Sequence, residues 1–195
     1  HWYFQDYPLH QQIWFYNTLM EMDVIFAHNK IDVEYYKGLT GNENVFQNKS
    51  LMIEDKIEPH IVNPDARDGV IIGGNMVRWY GGFDSYIVAK SIGHPIVAPS
   101  MGRKQEQEDA IDDIQYLPYM NWREWLIALG QFNIGIHLMR THAAGTFALN
   151  CSYLGIPCIG YKGSDTQTEL HPFLSVDSGD INSAVKLAKK LVNDK

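Results

Sequence analysis

His142-Ala143-Ala144-Gly145-Thr146 stands directly ahead of an apolar run, Phe147 to Leu154, and the turn Gly155-Ile156-Pro157. Read as a loop feeding a helix that starts near Ala143, the stretch leaves first-turn N–H groups uncovered, and the helix dipole favours an anion beside them. A phosphate would fit. Thr146 would add a hydroxyl donor, and Asn150, one turn on, would project from the same face. Small residues also serve close helix packing, so the local pattern leaves both readings open.

A second candidate runs from Ile71 to Asp84 as "IIGGNMVRWYGGFD". Paired glycines after a buried strand permit close backbone approach, which places Gly74 and the following Asn75 at a possible ligand contact. The dinucleotide fingerprint, with its acidic residue about 20 positions on, is not met. Arg78 is a bidentate partner for phosphate oxygens if its loop faces the strand ends, and otherwise a surface arginine.

Positioning these residues requires strands that end beside them. "DVIFAHN" followed by "KIDVEYYKGL" reads as a strand and a helix with a glycine stop, and residues 46–67 then carry no second unit of that kind. Beyond them the pattern repeats: "GVIIGGN" leads to "GFDSYIVAKSIG", "PIVAPS" to the charged loop Gly102 to Asp113, and "IQYLPYM" to "NWREWLIALGQF". "NIGIHLM" then leads to "AGTFALNCSYLG", and "IPCIGYKG" to a last helix from Asp180. Near-continuous apolar strands alternating with helices predict an α/β, doubly wound parallel sheet over 68–195, with ligands at the carboxyl ends of the strands. Those ends fall at Gly74, Ser100, Tyr119, Met139 to Gly145 (including Arg140) and Lys162 to Thr166. The charged loop reads as a solvated connection.

The 195 residues carry 16 basic and 23 acidic side chains, a net charge of −7, which argues against nucleic acid as a partner. No apolar run reaches the roughly 20 residues of a membrane span, and "HWYFQDYPLHQQ" lacks the features of a signal peptide. The two cysteines, Cys151 and Cys158, read as inert packing thiols, which fits a reducing cytoplasm. The aromatic opening, without an initiating Met, reads as a start partway through an upstream domain.

The order of "GGNMVRWYGGFDSYIVAK", "IQYLPYMNWREWLIALGQFNIGIHLM" and "HAAGTFALNCSYLGIPCIG" resembles the C-terminal, Rossmann-like, nucleotide-sugar-binding domain of GT-B glycosyltransferases. Retaining members carry two Glu residues with seven positions between them, the first near the donor sugar and the second at the ribose hydroxyls. Those positions fall on His142 and Asn150, with "LGIP" (Leu154 to Pro157) behind them. Asn75 and Tyr80 stand where such relatives have a phosphate-binding Arg and Lys. The resemblance therefore leaves the diphosphate to Arg78 and Arg140, or to backbone N–H groups around Ala143, Ala144, Gly145 and Thr146.

"DVIFAHNKIDVEYYKGL" likewise resembles the last strand and helix of the N-terminal, acceptor-binding domain, making residues 1–45 a strand-helix remnant and residues 46–67 a linker. The resemblance implies an enzyme fragment that binds a nucleoside diphosphate sugar for glycosyl transfer to an unspecified acceptor. His142 would be its catalytic candidate, with no resident cofactor or metal. A binding protein without catalysis, or a sugar-nucleotide epimerase on the same architecture, are the alternatives.

Overall fold

The computed structural model describes residues 7–56, 64–99, 104 and 106–193. Ser100 and the first residues of the charged loop lie outside them.

The sequence folds into two layered units. In the first, α1 (Leu9–Met20) leads to β1 (Ile25–Ala27), α2 (Lys30–Thr40) and β2 (Val45–Gln47), and the two strands pair in parallel, Ile25 with Val45 and Ala27 with Gln47. The second strand, which pattern alone did not reveal, makes this unit strand-helix-strand and carries it to Gln47. It is only three residues long and has a single inward residue, Val45, too little for a period to register. α2 runs past Gly38, the expected stop, because the left-handed position falls one turn later, at Gly41 (φ 69°), whose N–H bonds Lys37 O.

The second unit is a six-stranded, all-parallel sheet in the order β5-β4-β3-β6-β7-β8. Its strands are β3 (Val70–Ile72), β4 (Ile96–Pro99), β5 (Ile114–Leu117), β6 (Ile134–His137), β7 (Cys158–Tyr161) and β8 (Ser175–Val176). Helices cover both faces, as parallel strands demand. On one side Val88 and Ala89 of α3 (Gly82–Lys90) and Ala184 and Ala188 of α7 (Ile181–Asn193) pack on Val70, Ile72, Ile136 and Ile159. On the other, Leu129 of α4 (Trp122–Leu129) joins Phe147, Ala148 and Cys151 of α5 (Thr146–Tyr153) against Ile71, Val97 and Cys158. The fold is thus the doubly wound α/β class that the alternation predicts.

Two elements of the larger unit also escape the pattern: α6 (Asp165–Leu170) and the two-residue β8 lie in "SDTQTELHPFLSV", whose polar residues and Pro172 mask any periodicity. Within the charged loop Glu106–Ala110 forms a 3-10 turn in which Glu108 is 3% exposed, so this connection is not wholly solvated.

Candidate functional site

Chain order reverses between neighbours β3 and β6: β3 leads to β4 on one side, β6 to β7 on the other. In open α/β sheets a crevice forms at the carboxyl ends of strands at such a reversal. The loops there are Gly73 to Tyr80 and Leu138 to Gly145.

The paired glycines turn out to accommodate side chains of the protein itself. A Cβ on Gly73 would stand 2.6 Å from Phe147 Cδ1 and 2.7 Å from His137 Cβ, and one on Gly74 would stand 2.8 Å from Tyr80 Cβ and 3.2 Å from His137 Nε2. The His137 ring stacks on Tyr80 and meets Phe147 edge-on, with centroids 6.5 and 5.3 Å apart. Burial pulls its imidazole down to about 4, so it is neutral at physiological pH. His137 Nε2, Asn75 Nδ2 and Ser164 Oγ are buried polar atoms without a hydrogen-bond partner among the described residues. They follow or end β3, β6 and β7, three adjacent strands. Asn75 is wholly buried, and its Oδ1 accepts from the N–H of Val77 at 3.3 Å.

The loop after β6 differs from expectation in two respects. Its helix starts at Thr146 rather than near Ala143, and Gly145 caps it at φ 71°, a backbone conformation that L side chains rarely adopt. A Cβ there would stand 2.5 Å from Ser164 Oγ and 2.6 Å from Thr166 Cβ, so Gly145 serves backbone conformation and contact with the α6 segment. Thr166 and Ser50 hydroxyls donate to Ala144 O at 2.9 and 3.0 Å. Thr146 is exposed, whereas Asn150 is 7% exposed.

Arg140 is committed locally. Its guanidinium donates to Asp84 Oδ2 at 2.9 and 3.3 Å, an oxygen that also accepts from Tyr161 Oη at 3.0 Å. Burial first, then that hydrogen bond, pushes the Tyr161 phenol up to about 12. The side chain of Arg78 lies outside the described residues. Tyr119 stands 81% exposed after β5.

His142 makes a contact that spacing could not foresee. Its Nδ1 lies 3.3 Å from Oδ1 of Asp32, in the first turn of α2 in the other unit. Asp32 Oδ2 accepts from Asn29 Nδ2 at 3.0 Å, and the same amide donates to Ala143 O at 3.1 Å. Asn29 Oδ1 accepts from the Asp165 N–H at 2.8 Å, and Asp165 Oδ2 accepts from Gln47 Nε2 at 2.7 Å and the Lys30 N–H at 2.9 Å. Burial raises the Asp32 carboxyl, and the hydrogen bonds from His142 and Asn29 outweigh it, holding the group below its ordinary value. The structure therefore brings His142, Ala143, Ala144 and Gly145 together with Asp165, from the strand end at Lys162 to Thr166, and with Asn29 and Asp32, neither of which sequence reasoning selects. A polar pair, His28-Asn29, closing a short apolar strand was the available signal.

The fold recurs in solved glycosyltransferases at low identity. HepE of Anabaena, solved with UDP-glucose, matches with TM-score 0.73 and 10% identity over 96% of this chain and 59% of its own. Sucrose-phosphate synthase from Thermosynechococcus elongatus gives 0.72 and 13% over 97% and 54%. A variant of S. aureus TarM, solved with fondaparinux, alpha-GlcNAc-glycerol and UDP, gives 0.68 and 10% over 94% and 40%. The chain thus has the fold these enzymes share over that stretch, while spanning roughly half of their length. No family model and no curated protein sequence matches it.

Proposed function

We propose that the chain is the donor-binding part of a glycosyltransferase and holds a nucleoside diphosphate sugar in the crevice between the β3 and β6 loops. The observation that carries this reading is the set of unpartnered buried polar atoms, Asn75 Nδ2, His137 Nε2 and Ser164 Oγ, at the ends of three adjacent strands. Buried polar groups are otherwise almost always hydrogen-bonded, and their position is where open α/β sheets take ligands. Both Asn75 and His137 are neutral, so diphosphate charge would fall mainly to backbone N–H groups and the start of α5. On the same reading Arg78 adds charge toward the diphosphate, Arg140 does so only by leaving Asp84, Tyr119 stays at the margin beyond edge strand β5, Asn150 meets the ribose and His142 lies near the sugar.

Catalysis on this reading is positioning and stabilisation of the departing diphosphate, with acceptor groups supplied by residues outside this chain. No helix among the described residues is long and apolar enough to cross a membrane. Calorimetric titration with UDP, GDP, ADP and their hexose conjugates tests the proposal. Micromolar to millimolar binding of at least one, weakened about two- to tenfold by Asn150→Ala, is expected. A folded chain that binds none of them overturns it. Binding without transfer, even when the upstream sequence is present, would favour a purely binding role, which the replacement of both motif carboxylates by His142 and Asn150 makes the second reading.

A further inference from the structure

We infer that Asp32, from the N-terminal unit, is the positioning residue for His142, so that the sugar-facing edge of the donor crevice is completed by the unit opposite it. The inference rests on the proposed function for what the ring meets, and on geometry alone for the coupling.

The imidazole has a neighbour in each unit. Nδ1 faces Asp32 Oδ1 at 3.3 Å, and the Cδ2 edge lies 3.6 Å from where a Cβ on Gly163 would stand, in the turn after β7. Asp32 is itself fixed, being 7% exposed, set in the first turn of α2, and bound through Oδ2 to the amide of Asn29. A carboxylate at Nδ1 selects the tautomer with the proton on that nitrogen and fixes the ring plane, as carboxylates do behind many functional histidines. In that tautomer the ring lone pair is on Nε2. A chain of short bonds holds α2 in place to do this: Asn29 to Ala143 O and to the Asp165 N–H, Gln47 to Asp165, Ser50 to Ala144 O, and Lys49 to Glu169. The charged group that faces Nδ1 is Asp32; Lys30 and Lys49 are paired to Glu169, and Arg140 to Asp84.

The rule that makes Asp32 more than a strut is directional. A strut could be replaced by any group that keeps α2 docked, whereas a tautomer-setting group needs an acceptor oxygen at Nδ1. Asp32→Ala removes the acceptor, and Asp32→Asn replaces it with a donor, because its one oxygen pairs with the Asn29 amide and its NH2 turns to Nδ1.

Nitrogen-15 NMR of the full 195-residue chain, labelled at histidine and held at pH 8, reads the tautomer directly. His142 is expected with its proton on Nδ1 in the unsubstituted chain, shifted toward Nε2 in Asp32→Ala, and held on Nε2 in Asp32→Asn, whose NH2 faces Nδ1. Titrations with UDP-glucose and UDP form the second readout: Asp32→Ala is expected to weaken UDP-glucose about two- to tenfold and UDP hardly at all, because the ring faces the sugar. An unchanged His142 tautomer in folded Asp32→Ala overturns the inference whatever the donor data show. Equal loss for UDP and UDP-glucose reduces Asp32 to a structural contact and overturns it too. If the unsubstituted chain binds no nucleotide sugar while the tautomer still responds to Asp32→Ala, the proposed function fails and the coupling of Asp32 to His142 stands.

Discussion

The two parallel sheets of this molecule solve the same problem unequally. In the larger one β3, β4 and β7 are buried along their whole length, with helices on both faces. In the smaller one Ile25, Ala27 and Val45 turn inward on Leu19 and Tyr36, while Phe26 and Phe46 on the opposite face are 64% and 50% exposed, their rings 6.3 Å apart. α1 likewise leaves Leu9 and Trp14 mostly exposed. A parallel pair covered on one face has about half the apolar burial per residue that stabilises its larger counterpart. The larger sheet is therefore held by its own core. The smaller one depends heavily on hydrogen bonds to the loop that carries His142.

The strongest way to break that contrast is to remove the same kind of side chain from each core. Ile136→Ala, at a wholly buried position of β6, should lower global stability by about 2–5 kcal/mol and shift the urea midpoint of the entire chain. Ile25→Ala should instead speed hydrogen exchange at β1 and β2 while the amides of β3, β6 and β7 keep their protection. A single shared response to both would show one cooperative unit and erase the distinction.

Asn29→Ala acts on the seam between the two. It strips partners from Asp32, Ala143 O and the Asp165 N–H together, and should cost about 1–3 kcal/mol. The cost should appear as faster exchange in α2 and in residues 142–146, with the α3 and α7 face unaffected.

The smallest effect expected is on pH. The Asp32 carboxyl is held below its ordinary value of 3.8, so the docking it contributes is complete above that pH and declines as pH falls through the lowered value. Docking followed by exchange at residues 142–146 should weaken as pH falls near and below about 4. Asp32→Asn, which has nothing to titrate, should lose less over the same acid range.

What sequence could and could not foretell follows from range. Val70 to Ile72 and Cys158 to Tyr161 advertise their burial locally, because a strand covered on both faces must be apolar throughout. The capping box of α4, Asn121 with Glu124, is equally local. The left-handed conformation of Gly145 and its contact with Ser164 and Thr166 are constraints that spacing around Gly145 does not carry. His137 was passed over because a histidine closing an apolar strand carries no periodic signal. The joins of Asn29 to Asp165 and Asp32 to His142 span 136 and 110 positions, and no pattern within a helix or strand encodes them.

Cys151 on α5 and Cys158 on β7 are both free and wholly buried in the core beneath the candidate site, and burial together with the neighbouring Cys158 raises the Cys151 thiol well above its usual range. The thiolate is the nucleophile that displaces iodide from an alkylating reagent, so neither buried sulfur reacts while the large sheet is closed. The pair is thus a clock set inside one half of the molecule: the rate at which iodoacetamide labels it counts openings of the large core, undisturbed by fraying of the small unit.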